Sequence, residues 1–213
     1  TDVLSLCVDA DHGVRLKGLH LVEVVLRQGL VHPASAFPTL IALQIDSRQS
    51  VKRLARKLLK AQVHRHGEFF EHQLTHGVEQ AYTFKKRLET AARRGENGSR
   101  EASDTDGGFA FIYGLVNSSR TSRNAFLNTL LRRFETTSGS SDVLFLRFLA
   151  HVVTELPFTS VDETLYVVFQ LNRVISLKGG LLLEHLTQGL RASSEQSDKE
   201  APDEEFKRNV ELA

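Results

Sequence analysis

The sequence predicts an all-α chain in which helical hairpins stack into an α-solenoid. Three observations lead there. Apolar residues recur at three- and four-residue steps along nearly the whole length, while the two-residue alternation of strands is scarce. Prolines are confined to Pro33, Pro38, Pro157 and Pro202, which leaves long stretches free to be helical. A short signature, an aspartate followed by a valine and a basic residue, occurs twice, in "DHGVRLKG" from Asp11 and in "DSRQSVKRLA" from Asp46. One period holds the rest of a helix, a proline break and a second helix, which is one hairpin. Repetition of that kind favours a solenoid over a closed bundle.

The elements follow in order. "HGVRLKGLHLVEVVLRQGL" from His12 turns Val14, Leu19, Leu21, Val22, Val25 and Leu26 mostly inward. Pro33 has no backbone N–H and pushes His32 out of the helical region. The His32-Pro33 step therefore ends one helix, leaving His32 at its C-terminus, and starts the next over Pro33–Gln44. "VKRLARKLLKAQVHRH" from Val51 buries Val51, Leu54, Ala55, Leu58, Leu59, Gln62 and Val63 on one face. Lys52, Arg53, Arg56, Lys57 and Lys60 occupy the other. In each repeat the aspartate, Asp11 or Asp46, is expected to cap the second helix of its hairpin.

Further helices are expected over 68–76, 77–93, 108–116, 120–136, 142–155, 161–176 and 179–191. Ser141-Asp142 and Ser160 supply N-caps, and the Gly179-Gly180 pair ends one helix and opens another. The polar, glycine-rich stretch at about 94–107 reads as an exposed loop within a repeat domain spanning 1–192. Residues 193–213 are acidic and low in apolar content, which predicts a poorly ordered tail.

Composition bounds the function. A hydrophobic share of 41% with 25% charged residues describes a folded chain, so wholesale disorder is excluded. Cys7 is the only cysteine among 213 residues, which rules out an internal disulfide and suits a reducing compartment. No apolar run approaches the roughly 20 residues needed to span a bilayer, and no signal-peptide pattern occurs. Methionine is absent even at position 1, so a segment of a longer protein is expected.

Catalytic signals are weak. "HRHGEFFEHQLTH" gathers His64, His66, Glu68, Glu71, His72 and His76, and His72 and His76 share a helix face. The stretch lacks His-Glu-x-x-His, and Gly67 is expected to break the helix between its halves. A solvated, histidine-rich turn is the simpler reading, and no metal or other cofactor is expected. Cys7 lies near the start of the chain, and neither a Gly-x-Ser-x-Gly elbow nor a phosphate loop is present. An enzyme is not expected here.

Charge is more telling. Between Ser47 and His66 the chain carries Arg48, Lys52, Arg53, Arg56, Lys57, Lys60 and Arg65, and no acid. Such a run can be a solvated helix face, but like charges one helical turn apart repel, which favours contact with nucleic acid or an acidic partner as the alternative. Lys52, Arg53, Arg56, Lys57 and Lys60 form the first candidate contact surface; Lys85, Lys86 and Arg87 form the second. No base-reading motif accompanies them, so a nucleic acid would be met at its backbone.

Two resemblances sharpen these expectations. The aspartate, gap and valine-basic step resemble the turn and inner helix of HEAT repeats. "VVLRQGLVHPASAFPTLIALQID" resembles a segment of the Nipped-B family, the large subunit of the cohesin loader, through Gln28, Gly29, Leu30, Val31, His32, Pro33, Pro38, Leu40, Ile41, Ala42 and Asp46. "IYGLVNSSRTSRNAFLNTLLRRFE", with Arg123, Ala125, Phe126, Leu130 and Leu131, is similar to a later helical pair of the family. "DVLFLRFLAHVVTELPF" and "DETLYVVFQLNRVISLKGGLLLEHL" resemble its C-terminal region in the right order. Divergence elsewhere suggests a fungal member.

The resemblance implies a nuclear, chromatin-bound scaffold without membrane contact, engaging the SMC heads and kleisin of cohesin together with double-stranded DNA. It implies stimulation of the cohesin ATPase and cohesin loading, with the ATPase in the SMC heads. The smaller loader subunit would bind a part of such a protein outside this segment. Two other readings compete: a HEAT scaffold of another nuclear complex that binds a peptide, and a metal-dependent helical enzyme.

Overall fold

The computed structural model describes residues 2–94, 107–116, 119–136 and 143–199. Among them every regular element is a helix: α1 (Asp2–Leu6), α2 (His12–Arg27), α3 (Pro33–Ala42), α4 (Gln49–Arg93), α5 (Gly108–Val116), α6 (Arg120–Thr136), α7 (Val143–Thr154) and α8 (Val161–Lys199). A 3-10 turn at Leu43–Ile45 closes α3. The helices pack as consecutive hairpins, α1 on α2, α3 on α4 and α5 on α6, so the all-α repeat fold read from the sequence holds. Two compact units divide the chain, Thr1–Thr164 and Leu165–Ala213.

The α3–α4 hairpin is the most extensive packing in the first unit. Phe37, Leu40 and Ile41 of α3 are fully buried, as are Val51, Ala55 and Leu59 of α4. Each large side chain so buried contributes about 1.5–3 kcal/mol. Phe37 meets Phe70 with ring centres 5.5 Å apart, which carries the contact into the second half of α4.

α4 joins what the sequence divides into three helices. It leaves helical geometry only at His66 (φ −140°, ψ 42°), next to the expected break at Gly67. At the expected boundary between His76 and Gly77 it runs straight through. Gly77 is buried there, and a Cβ would fall 2.5 Å from Ile41 Cδ1. That glycine serves the close approach of α3 rather than a helix end.

Termini hold two more corrections. Asp11 caps α2 as expected, accepting from the Val14 N–H at 3.0 Å. Asp46 does not cap α4; Arg48 stands at that N-cap with no side-chain cap bond. His32 is not at the C-terminus of α2 either. α2 closes at Gln28, Gly29 takes the left-handed turn (φ 69°), and His32 is the N-cap of α3. Its Nδ1 accepts the Ala34 N–H at 3.2 Å, and Phe69 packs against its ring at 4.9 Å.

α8 carries no break at Gly179-Gly180. Neither glycine has positive φ, and nothing lies within 4 Å of where their Cβ atoms would be. A glycine permits the left-handed cap without imposing it. The helix continues past residue 193, where the tail was expected, to Lys199. Residues 200–213 of that tail, residues 95–106 of the expected loop and the Ser141-Asp142 cap lie outside the described residues. In the second unit Val167 and Val174 are buried, whereas Leu165, Phe169, Ile175, Leu182, Leu186 and Leu190 are exposed. Among the described residues no helix is long and apolar enough to cross a membrane.

Candidate nucleic-acid interface

The first half of α4 buries Val51, Ala55, Leu58, Leu59 and Gln62, so the residues between them are driven outward. Arg53, Lys57, Lys60 and His64 follow at four-, three- and four-residue steps, and all are exposed. α2 runs beside this stripe. Lys57 Nζ lies 3.2 Å from Glu23 Oε1, which also accepts from Arg27 Nη2 at 2.9 Å. His20 Nδ1 stands 3.8 Å from the other Glu23 oxygen. The hydrogen bond from Lys57 outweighs desolvation and holds the Glu23 carboxyl below its usual range. The band thus has one carboxylate, Glu23, among Arg53, Lys57, Lys60, His20 and Arg27.

His20 and Arg27 are not part of the surface read from the sequence. Their signal lies in the repeat, which sets α2 one period before α4 and so brings the outer faces of these two helices side by side.

Two of the five expected contact residues leave the surface. Lys52 is only 4% exposed. Arg56 is half-buried, donating from Nη2 to the Gly107 carbonyl at 3.1 Å, with its guanidinium over the Phe111 ring at 5.0 Å. At 100° per residue the five cations span too wide an arc for one exposed face. One edge of that arc is the seam with the next hairpin. α5 approaches there so closely that a Cβ on Gly108 would fall 2.6 Å from the Gln44 carbonyl oxygen.

The repeat itself carries the signal for Lys52. In its register Lys52 corresponds to Arg15, which is 2% exposed. Arg15 Nε donates to Asp46 Oδ2 at 2.7 Å and Nη2 to Oδ1 at 3.2 Å. Its Nη1 donates to the carbonyls of Asp9 and Ala10 at 2.9 and 2.8 Å, and Phe84 lies under the guanidinium at 5.5 Å. Asp46 also accepts the Arg48 N–H at 2.8 Å. The basic residue of one repeat therefore locks onto the aspartate of the next, which explains why Asp46 is unavailable as a cap.

The second expected surface divides. Lys85 and Lys86 line a groove between α4 and α7, where Lys85 Nζ sits 5.6 Å from the centre of the Phe148 ring. Arg87 lines a different cleft with Leu4 and Val8 of the N-terminal segment and Ser35 and Pro38 of α3. Consecutive helical residues point about 100° apart, so three in a row do not share a face.

A buried carboxylate went unnoticed in the sequence. Glu163, in the first turn of α8, is 1% exposed. It accepts from Tyr113 Oη at 2.8 Å, from the Thr159 N–H at 3.0 Å and from Thr159 Oγ1 at 3.2 Å, while Arg123 Nη1 stands 3.0 Å away. Desolvation pushes its pKa up, but those hydrogen bonds and the Arg123 charge prevail and hold it below the ordinary value. The same burial and bond push the Tyr113 hydroxyl up. This hub ties α5 and α6 to the start of α8 and is structural: every bond of the carboxylate is internal.

Among the described residues no group of three or more His, Cys, Asp or Glu side chains is placed to hold one metal ion. His76 of the histidine-rich stretch pairs instead with Glu79, at 3.5 Å. Cys7 is buried, and burial pushes its thiol up to about 11, which leaves it a packing residue rather than a nucleophile.

Comparison with known proteins gives one consistent family. The model of the sister chromatid cohesion C-terminus, Nipped-B_C, matches residues 1–174. The chain is 27% identical over 203 residues to the Nipped-B protein of Drosophila melanogaster, covering 92% of this chain and 10% of that protein. It is 28% identical over 217 residues to Nipped-B-like protein scc-2 of Caenorhabditis elegans, covering 92% and 10%. With the Nipped-B-like protein of Homo sapiens it shares 24% over 188 residues, covering 88% and 7%. The chain spans about a tenth or less of the length of these relatives.

Proposed function

This chain belongs to the Nipped-B sister chromatid cohesion family, and we propose that it acts as a non-catalytic scaffold segment of a cohesin-loading factor on chromatin. In this reading it holds double-stranded DNA by its phosphate backbone while other surfaces engage the SMC heads and kleisin. Stimulation of the cohesin ATPase would follow from holding both partners together, the chemistry remaining in the SMC heads. The smaller loader subunit is assigned to sequence outside this segment.

The observation that carries the reading is the exposed stripe of Arg53, Lys57, Lys60 and His64 on a helix fixed by its packing against α3. Phosphates repeat along a duplex, and cations spaced along one rigid helix can meet several of them without reading bases. Arg53 and Lys60 are the strongest candidates, since Lys57 already shares Glu23. Lys52 and Arg56 are assigned to the fold.

Anisotropy of a fluorescein-labelled duplex tests this. Replacing Arg53 and Lys60 by Glu is expected to weaken binding at low salt. It should also make the slope of log K against log salt shallower by about 2, one for each lost contact. Unchanged affinity at low salt would remove this face from consideration.

A further inference from the structure

The groove between α4 and α7 has a volume of about 560 Å³, within the range of binding recesses. Tyr82 and Phe148 line it with ring centres 5.6 Å apart, and Phe145 packs against Tyr82 from outside the lining, at 5.1 Å. Leu144, 61% exposed, stands at the mouth. Lys85, Lys86 and Arg93 of α4 and Arg147 of α7 line the same recess, facing the single carboxylate of Glu89. Among the described residues none of these four cations forms an ion pair. His151, which also lines the recess, has its Nε2 3.0 Å from Glu155 Oε1.

We propose that this groove docks an acidic, extended peptide segment of a partner protein, seating one aromatic or large aliphatic side chain on Tyr82 and Phe148. Charge complementarity sets the sign of the partner, since unpaired cations from two helices converge on one opening. The aromatic wall sets its kind. A duplex presents phosphates on a wide cylinder and would ride over the mouth, leaving Tyr82 and Leu144 wet. A peptide can place acids on the rim cations and bury an anchor between them, the arrangement of a hot spot with a polar rim. The site is separate from the α2–α4 face, and neither reading depends on the other.

The test uses the whole chain and a fluorescein-labelled peptide, Asp-Glu-Glu-Phe-Glu-Asp, read by anisotropy. Saturable binding is expected, falling about tenfold or more in the Lys86→Glu, Arg147→Glu double variant, since two reversed charges then oppose the acids. A comparable loss is expected when the peptide's Phe becomes Ser, or when Leu144 becomes Glu. All three substituted side chains are exposed, so thermal unfolding should be unchanged. The Arg53→Glu, Lys60→Glu variant should bind the peptide as well as the parent does. No saturable binding, or equal binding by the Ser peptide, would overturn the proposal. So would a duplex that displaces the peptide and loses as much affinity in the double variant, which would make the groove a nucleic-acid surface.

Discussion

Arg15 and Asp46 sit one repeat apart and meet in a two-pronged ion pair, 2.7 and 3.2 Å long, with both side chains almost wholly buried. Each end is anchored further, Arg15 on the carbonyls of Asp9 and Ala10 and Asp46 on the Arg48 N–H. Breaking such a pair from one side strands a charge in the interior, which costs about 3–5 kcal/mol. Asp46→Ala should therefore lower the urea midpoint strongly with little change in the slope of the transition. The double change Arg15→Met, Asp46→Leu removes both charges and should recover a large part of that loss. A midpoint for Asp46→Ala close to the parent's would mean the pair does not hold the repeats together.

Two glycines should respond to alanine with opposite sign. In a solvated helix interior Gly→Ala gains up to about 1 kcal/mol, which is the expectation for Gly179, with open space around it. At Gly77 the new Cβ would meet three atoms of Ile41, including its Cβ at 2.8 Å. Overpacking of that kind costs about 1–3 kcal/mol, more than the helix gains. Thermal unfolding should show Gly179→Ala melting no lower than the parent and Gly77→Ala several degrees below it.

What the sequence reveals divides along physical lines. Helices and their buried stripes are local, because periodicity fixes a face, and α2, α3, α5 and α6 fall where periodicity puts them. Glycine is ambiguous by itself. Gly77 and Gly179 both read as breaks, yet one answers to Ile41 across a hairpin and the other to nothing. The basic face of α4 was legible as a helix face but not as a surface. Which cations are covered depends on tertiary packing, and the approach of Gly107 and Phe111 that covers Arg56 is a long-range contact. The internal repeat does hold part of that information, since it aligns Lys52 with Arg15. Glu163 reads locally as an ordinary acid in a first turn, and its partners Tyr113 and Arg123 come from two other helices.

The Glu163 hub predicts acid sensitivity of a definite sign. Its pKa lies below the ordinary glutamate value of about 4.3 in the folded chain. Its contribution is therefore complete above that ordinary value and is lost as pH falls through the lowered, folded one. Between about pH 5 and 3 the unfolded chain takes up this proton first, so stability falls as acid is added. Glu163→Gln should be less stable than the parent at neutral pH, and the gap should narrow as the pH drops across that window. A gap of constant size, followed by chemical denaturation at several pH values, would show that the carboxylate charge plays no part.

Charge reversal on α4 should separate fold from contact within neighbouring positions. Lys52 is buried, so Lys52→Glu places an acid in the interior and should destabilise the chain by several kcal/mol, of order 3–5. Arg53→Glu and Lys60→Glu lie on the exposed side of the same helix and should stay within about 0.5 kcal/mol of the parent. Duplex binding should then depend on the two surface changes even though they leave unfolding untouched. In Lys52→Glu any binding loss should track the unfolded fraction and shrink on cooling toward the temperature of maximum stability. Measuring affinity and urea midpoint on the same three variants distinguishes the cases. If Lys52→Glu lost DNA affinity at full stability while Arg53→Glu and Lys60→Glu retained theirs, the contact surface would include Lys52 and the exposed stripe would be only solvated charge.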